Sequence, residues 1–251
     1  PYKEQMIAVD KRWGKMEFWK ALGEMVDPIT FGYFLNAVDL KYDSNKEIIQ
    51  QPENRRIYNY TWYKTVKISV LVTLFCLILG YPIAYLLATL PLKFSNLLMI
   101  FVLLPFWTSL LVRTVSWIII LMKKGVFNSI LVWAGVISDE NRMQLIYNET
   151  GTLIAMTQIL LPFMVLPLYS VMKTISPSYM RAAVNLGAQP MHAYYKIYMP
   201  LTVPGISAGG LLVFVLAIGY YITPELVGGS DGQLIGHWIA YHLKSTLNWG
   251  L

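Results

Sequence analysis

Residues 176–200 read SPSYMRAAVNLGAQPMHAYYKIYMP, a polar island between two long apolar runs. Ser176 before Pro177 suits an N-cap followed by a first helical residue. Tyr179, Ala182, Ala183 and Leu186 recur at i, i+3, i+4 and i+7, one face of a short helix. Gly187 stands where a left-handed helix stop favours glycine. Gln189-Pro190 opens a second short helix whose stripe is Met191, Tyr194, Tyr195 and Tyr198. Pro200 is expected to end it, because proline has no N–H to continue a helix. The stretch therefore predicts a helix, a glycine hinge and a helix that together show an apolar and aromatic face.

Outward from this loop the chain is unusually apolar. Of its 251 residues 56% are hydrophobic and 14% are charged, and mean hydropathy is +0.49. Soluble domains carry about 25% charged residues. The charge is also segregated: residues 1–63 hold nine basic and nine acidic residues, so the net +6 lies in residues 64–251. No Asp or Glu occurs from Thr65 to Ser138. This pattern belongs to membrane spans with short loops, and argues against a nucleic-acid-binding face despite a pI near 9.2. Cys76 is the single cysteine, so no disulfide can form within the chain.

Four runs are expected to cross a bilayer whose hydrocarbon core is ~30 Å thick. They are Thr65 to Leu90 with Pro82 inside, Leu97 to Met122, Thr152 to Val171 with Pro162 and Pro167, and Pro204 to Ile222. Gly205, Gly209 and Gly210 in the last allow close helix approach. Before the spans, Lys11 to Val26 is expected to form an amphipathic helix, and residues 30–40 carry Phe31, Tyr33 and Phe34. These aromatics suit either a membrane interface or a small folded cap, the cap being preferred. Between the second and third spans an amphipathic piece begins at Gly125 and ends near Gly135.

The 176–200 stretch resembles the cytoplasmic "EAA" coupling loop of binding-protein-dependent type I ABC importer permeases. Ala182, Ala183, Gly187, Ile197 and Pro200 fall on that pattern, and Arg181 stands in the place of its Glu. Gly80-Tyr81-Pro82-Ile83-Ala84-Tyr85 resembles the G-Y-P-x-A-Y of the family's second span. The run from Pro105 through Trp117 resembles the polyamine and opine branch, and Thr223 to Gly229 resembles the family's T-P-x-L-x-G-G. The implied fold is all-α, a polytopic transmembrane bundle. Residues 1–63 would form an extramembrane, periplasmic insert, and 64–251 a permease domain with a cytoplasmic coupling loop at 173–202. The four spans would be the middle four of six. The positive-inside count is a tie, so orientation follows from the resemblance.

The resemblance implies a permease subunit of a bacterial ABC importer in the inner membrane. It would pass a polyamine such as spermidine or putrescine, or an opine-like solute. Implied partners are an ABC ATPase dimer, a second and homologous permease, and a periplasmic solute-binding protein. Coupling would run through Arg181, Ala182, Ala183, Gly187, Met191, Tyr194, Tyr195, Ile197 and Pro200. The chain itself has no G-x-x-x-x-G-K-[ST] and no Cys/His cluster, so ATP and magnesium would sit on the partners, with no cofactor, metal or catalytic residue expected here. For the translocation path the candidates are Arg113, Trp117, Tyr220, Tyr221 and Glu225. A charge inside an apolar run must face a partner or a wet cavity, which singles out Arg113. A carboxylate and aromatic faces would suit a cationic solute. The rival reading is a secondary transporter or channel subunit that works without an ATPase. Such a protein would need intramembrane acids for ion coupling, and these four runs contain none.

Overall fold

The computed structural model describes residues 2–16, 18–19, 31–43 and 47–246. They fall into two compact units, Pro1–Tyr63 with Trp238–Leu251, and Lys64–His237.

The first unit opens with α1 (Tyr2–Val9) and a 3-10 turn, Lys11–Gly14. Asp10 is extended and caps the turn by accepting from the Arg12 backbone N–H at 2.9 Å. That cap makes a tight turn where an amphipathic helix from Lys11 was expected; much of the rest of that expectation lies outside the described residues. A short α2 (Gly32–Asn36) then leads to a two-stranded antiparallel hairpin, β1 (Leu40–Tyr42) and β2 (Ile48–Gln50). Leu40 lies opposite Gln50 and Tyr42 opposite Ile48. Between α2 and β1 sits Asp39, buried and left-handed at φ 59°. Its carboxylate accepts from the backbone N–H groups of Tyr58 at 3.0 Å and Asn59 at 2.8 Å. These two residues open α3 (Tyr58–Thr89). A helix start leaves N–H groups unpaired and is electropositive, so a carboxylate brought from the hairpin satisfies both demands.

In the second unit α3 continues through Pro82 as one helix. It is followed by α4 (Leu92–Leu103), a 3-10 turn at Leu104–Trp107, α5 (Leu110–Leu121) and α6 (Val126–Trp133). The single span expected from Leu97 to Met122 is therefore broken. Pro105 cannot donate to the α-helical ladder, and Thr108 is extended at ψ 142°, so the chain restarts at Leu110. The run that is long and apolar enough to cross is Leu110–Trp133 instead. Next come α7 (Glu149–Thr174), with Pro162 and Pro167 inside it, then the 176–200 loop and α10 (Val203–Ile218). This last helix stops at Gly219, short of the expected Ile222; α11 (Ile222–Val227) and α12 (Ile235–Tyr241) follow. Tyr58–Thr89, Leu110–Trp133 and Glu149–Thr174 qualify as spans, and Pro190–Leu201 with Val203–Ile218 makes a fourth if that pair, bent by 56°, is one.

The unit is built around α7. Of its most apolar window 61% is buried, against 28% for Tyr58–Thr89 and 17% for Leu110–Trp133. Small residues let the neighbours close on it. A Cβ at Gly209 would lie 2.9 Å from Met164 Sδ, one at Gly80 3.1 Å from Met164 Cγ, and one at Gly205 3.1 Å from Val171 Cβ. Gly210 differs, since its Cβ would meet Thr73 at 3.9 Å, ordinary contact. Lys67 on α3 pairs with Glu149 at the start of α7 at 2.6 Å. Ile235 donates its backbone N–H to Thr65 Oγ1 at 2.9 Å.

Candidate functional site

The loop begins where Ser176 Oγ accepts from the Ser178 N–H at 3.3 Å and caps α8 (Pro177–Asn185). That helix ends in a Schellman motif: Gly187 N–H donates to Val184 O at 2.9 Å and Ala188 N–H to Ala183 O at 3.0 Å. Gly187 has φ +90°, as this motif requires. The second half is α9 (Pro190–Ala193), a π-helical turn at Tyr194–Tyr198 and a last turn at Met199–Leu201. Pro200 does not end the helix, contrary to expectation. It has no N–H for the carbonyl one turn back, and the ladder adjusts by one residue, with Met199 N–H donating to Tyr194 O.

The π turn divides the aromatic stripe. Leu186 is 89% exposed, and Tyr179, Met191 and Tyr195 are exposed with it, as are Arg181, Ala182 and Pro200. Ala183, Ala193 and Tyr198 are buried, and Tyr194 and Ile197 are half-buried. The inward tyrosines meet α3. The ring of Tyr85 stands edge-on to Tyr194 at 5.6 Å and to Tyr198 at 5.4 Å. One turn earlier, the Tyr81 hydroxyl bonds to Thr202 Oγ1 at 3.2 Å and also reaches Tyr194. A cavity of about 380 Å³ lies beside this nest, lined by Tyr85, Thr89, Met172, Ser176 and Tyr194 among others. Tyr81 and Tyr85 thus form a socket for the loop. The signal was present in Gly80 to Tyr85, where two tyrosines four apart share a helix face, but nothing local says what they receive. Edge-to-face pairs contribute about 0.5–1.5 kcal/mol each beyond area burial. Tyr85→Ala is expected to lower the thermal midpoint of the purified chain, while Tyr85→Phe retains it. Paired melting curves in detergent check this.

The candidate path residues do not converge on one point. Arg113 folds back on the break in its own span: it donates to Thr108 O at 3.1 Å, to Thr108 Oγ1 and to Pro105 O. It thus adds a donor at Thr108 O and at Pro105 O, which already accepts from the Thr108 N–H and hydroxyl, and so ties the break to the helix that follows, a role not visible in the sequence. Tyr220 lies within electrostatic reach of it. Thr114 and Thr223 join α5 to α11 through their hydroxyls at 3.2 Å. Trp117, one turn on, donates Nε1–H to Gln158 Oε1 on α7 at 3.2 Å. It borders an apolar groove of about 390 Å³ with Phe75, Leu79, Leu153 and Leu161. Glu225 pairs with His237 Nδ1, and Tyr221 packs on Gly236, where a Cβ would lie 3.0 Å from its own. Arg113→Lys keeps the charge but loses the guanidinium fork that spans two residues. It is expected to cost up to about 1.5–3 kcal/mol of stability, the usual range for charged hydrogen bonds. Chemical-denaturant melts in detergent check this.

A family model described as "Binding-protein-dependent transport system inner membrane component" matches residues 80–246. The chain belongs to this family. The match begins at Gly80-Tyr81 and so takes in both the socket and the loop it holds. This inner membrane component is a multi-pass protein of the bacterial inner membrane. It is 39% identical over 185 residues to the "Spermidine/putrescine transport system permease protein PotB" of Salmonella typhimurium (strain SL1344), covering 74% of this chain and 64% of that protein. The Escherichia coli (strain K12) protein of the same name is 38% identical, with 74% and 66% covered. The chain therefore spans under two thirds of the length of these relatives. "Inner membrane ABC transporter permease protein YdcU" of Escherichia coli (strain K12) is 31% identical over 186 residues, with 70% and 59% covered. Among solved structures, a bacterial ABC transporter involved in the import of the acidic polysaccharide alginate has a chain that superposes with a TM-score of 0.63 at 16% identity. The superposition covers 98% of this chain and 85% of that one. At that identity it shows the shared type I importer permease fold.

Proposed function

We propose that this chain is a permease subunit of an ABC importer for a small solute of the polyamine class. Residues 176–200 would couple it to ATPase subunits. The observation that carries this reading is the divided loop: one face is seated in the Tyr81/Tyr85 socket and the other presents Leu186, Met191 and Tyr195 to solvent. A short helix pair with an apolar exposed face suits a groove on a partner. Movement imposed on it would pass to α3 through the packed rings of Tyr85, Tyr194 and Tyr198. The partners would be two ATPase subunits holding ATP and magnesium, a second permease, and an external solute-binding protein. The ATPases bias a two-state change; the permease supplies the path.

A polyamine is supported by the names of the PotB relatives and by Glu225, a half-exposed carboxylate held by His237. A solute ammonium would compete with His237 for this group, and Tyr221, whose carbonyl accepts from the Glu225 N–H, stands one turn before it. Arg113, turned onto Pro105 and Thr108 oxygens, works as a brace in this scheme. Glu225→Gln is expected to weaken polyamine uptake at least tenfold in apparent affinity while leaving expression unchanged. Uptake of radiolabelled spermidine and putrescine into cells bearing the variant measures it. The reading as a whole is tested by purifying the tagged chain from its own membrane under mild detergent. An ABC ATPase should accompany it; a well-folded preparation that brings down none would overturn the assignment.

A further inference from the structure

We propose that α2 and the β1–β2 hairpin form a membrane-docking platform, with Phe31 and Phe34 dipping into the lipid headgroup region beside the start of α3. Three observations within the first unit lead there. The first is exposure: Phe31 is 67%, Phe34 73% and Ile48 59% exposed, so these apolar groups do not build a core of their own. The cap preferred from sequence would have buried them.

The second is placement. Asp39, directly between α2 and β1, holds the first two N–H groups of α3, and Asn59 Nδ2–H returns a bond to Val38 O at 2.9 Å. The hairpin is thus pinned to the beginning of a membrane-crossing helix rather than tethered to it by a loose linker. The first turns of that helix expose Tyr60, Trp62 and Tyr63, at 66%, 43% and 69%. Such aromatics mark the level of the membrane–water interface. Through the Asp39 clamp, α2 is confined to that same level.

The third is a polar edge. Arg55 and Arg56 are exposed between the hairpin and α3, and Arg56 Nε–H donates to Gln51 O at 2.5 Å, which fixes the base of its side chain beside the hairpin. Glu47 and Glu53 are exposed in the same stretch, so the charge around the hairpin is mixed, and a headgroup layer solvates both signs. A bilayer surface accounts for the apolar exposure and the height together.

The test places an environment-sensitive fluorophore at Tyr33→Cys, which leaves Phe31 and Phe34 intact, in the full chain carrying Cys76→Ala. The protein is held in nanodiscs of phosphatidylethanolamine and phosphatidylglycerol. Tyr60→Cys is the lipid reference and Glu140→Cys the water reference. Quenching at 33 by lipids brominated near the headgroup is expected to match that at 60, with comparable shielding from aqueous iodide. Phe31→Ser with Phe34→Ser is expected to move the label at 33 toward the water reference. Iodide quenching at 33 equal to that at 140 would overturn the proposal. So would access by neither quencher, which would mean that the chain covers its own face. Shielding that appears only when a solute-binding protein is added would make the face a protein docking surface and reject the lipid. Lipid quenching that survives the double Ser variant would remove the phenylalanines from the contact.

Discussion

Leu186→Glu is expected to reduce ATPase recovery with the purified chain, and ATP-driven uptake, by at least tenfold. Leu186 is the most exposed large apolar residue of the loop at 89% and lies one residue before the hinge. The substitution leaves the Schellman bonds of Gly187 and Ala188 in place, since both are backbone bonds. A new acid near a helix C-terminus costs about 0.3–1 kcal/mol, too little to unfold the loop. In a closed interface the same carboxylate is desolvated without a partner. Leaving a charge buried and unpaired costs about 2–5 kcal/mol, and 1.4 kcal/mol is tenfold in affinity. Co-purification and vesicle uptake read the effect, with membrane abundance as the control. Recovery equal to that of the native chain would show that the exposed face is not where the ATPase binds.

Gly209→Leu is expected to destabilise the bundle more than any other single change considered. A Cβ at 209 would stand 2.9 Å from Met164 Sδ and 3.1 Å from Met164 O. The methionine tip could turn aside, but the carbonyl belongs to α7 and cannot. The remaining atoms of leucine would force α10 away from the helix around which the unit is packed. Overpacking of this kind costs about 1–3 kcal/mol and more where backbone must shift. The thermal midpoint in detergent should fall clearly for Gly209→Leu and less for Gly209→Ala. Gly210→Leu is the matched control, because a Cβ there meets Thr73 at 3.9 Å and faces a shallow groove. Equal losses at 209 and 210 would mean that the close approach of α7 and α10 contributes little.

Much of this chain was legible before any fold. The helix–glycine–helix loop followed from residue types whose preferences are local: a serine before proline, a glycine where φ is +90°, and apolar residues at helical spacing. The membrane class followed from composition alone. Local rules fail in this chain where they meet a local exception of similar strength. A long apolar run suggested one span through Pro105, yet a proline followed by Thr108 in extended conformation breaks it, and Arg113 folds back to cap the break. Pro200 was expected to stop a helix and is instead absorbed by a π turn.

Sequence alone determined where the apolar runs lie, where the hinge lies, and which residues a loop of this kind offers. Those properties depend on neighbours within a few positions, which the chain order already supplies. Tertiary structure decided that Tyr194 and Tyr198 face inward while Leu186 and Tyr195 face out, that Tyr81 and Tyr85 receive them, and that Glu225 is held by His237. It also decided that Asp39 caps a helix that starts 19 residues later. Each of these joins residues distant in sequence, and burial and pairing across such distances are set by how helices pack. No periodicity within one segment encodes them.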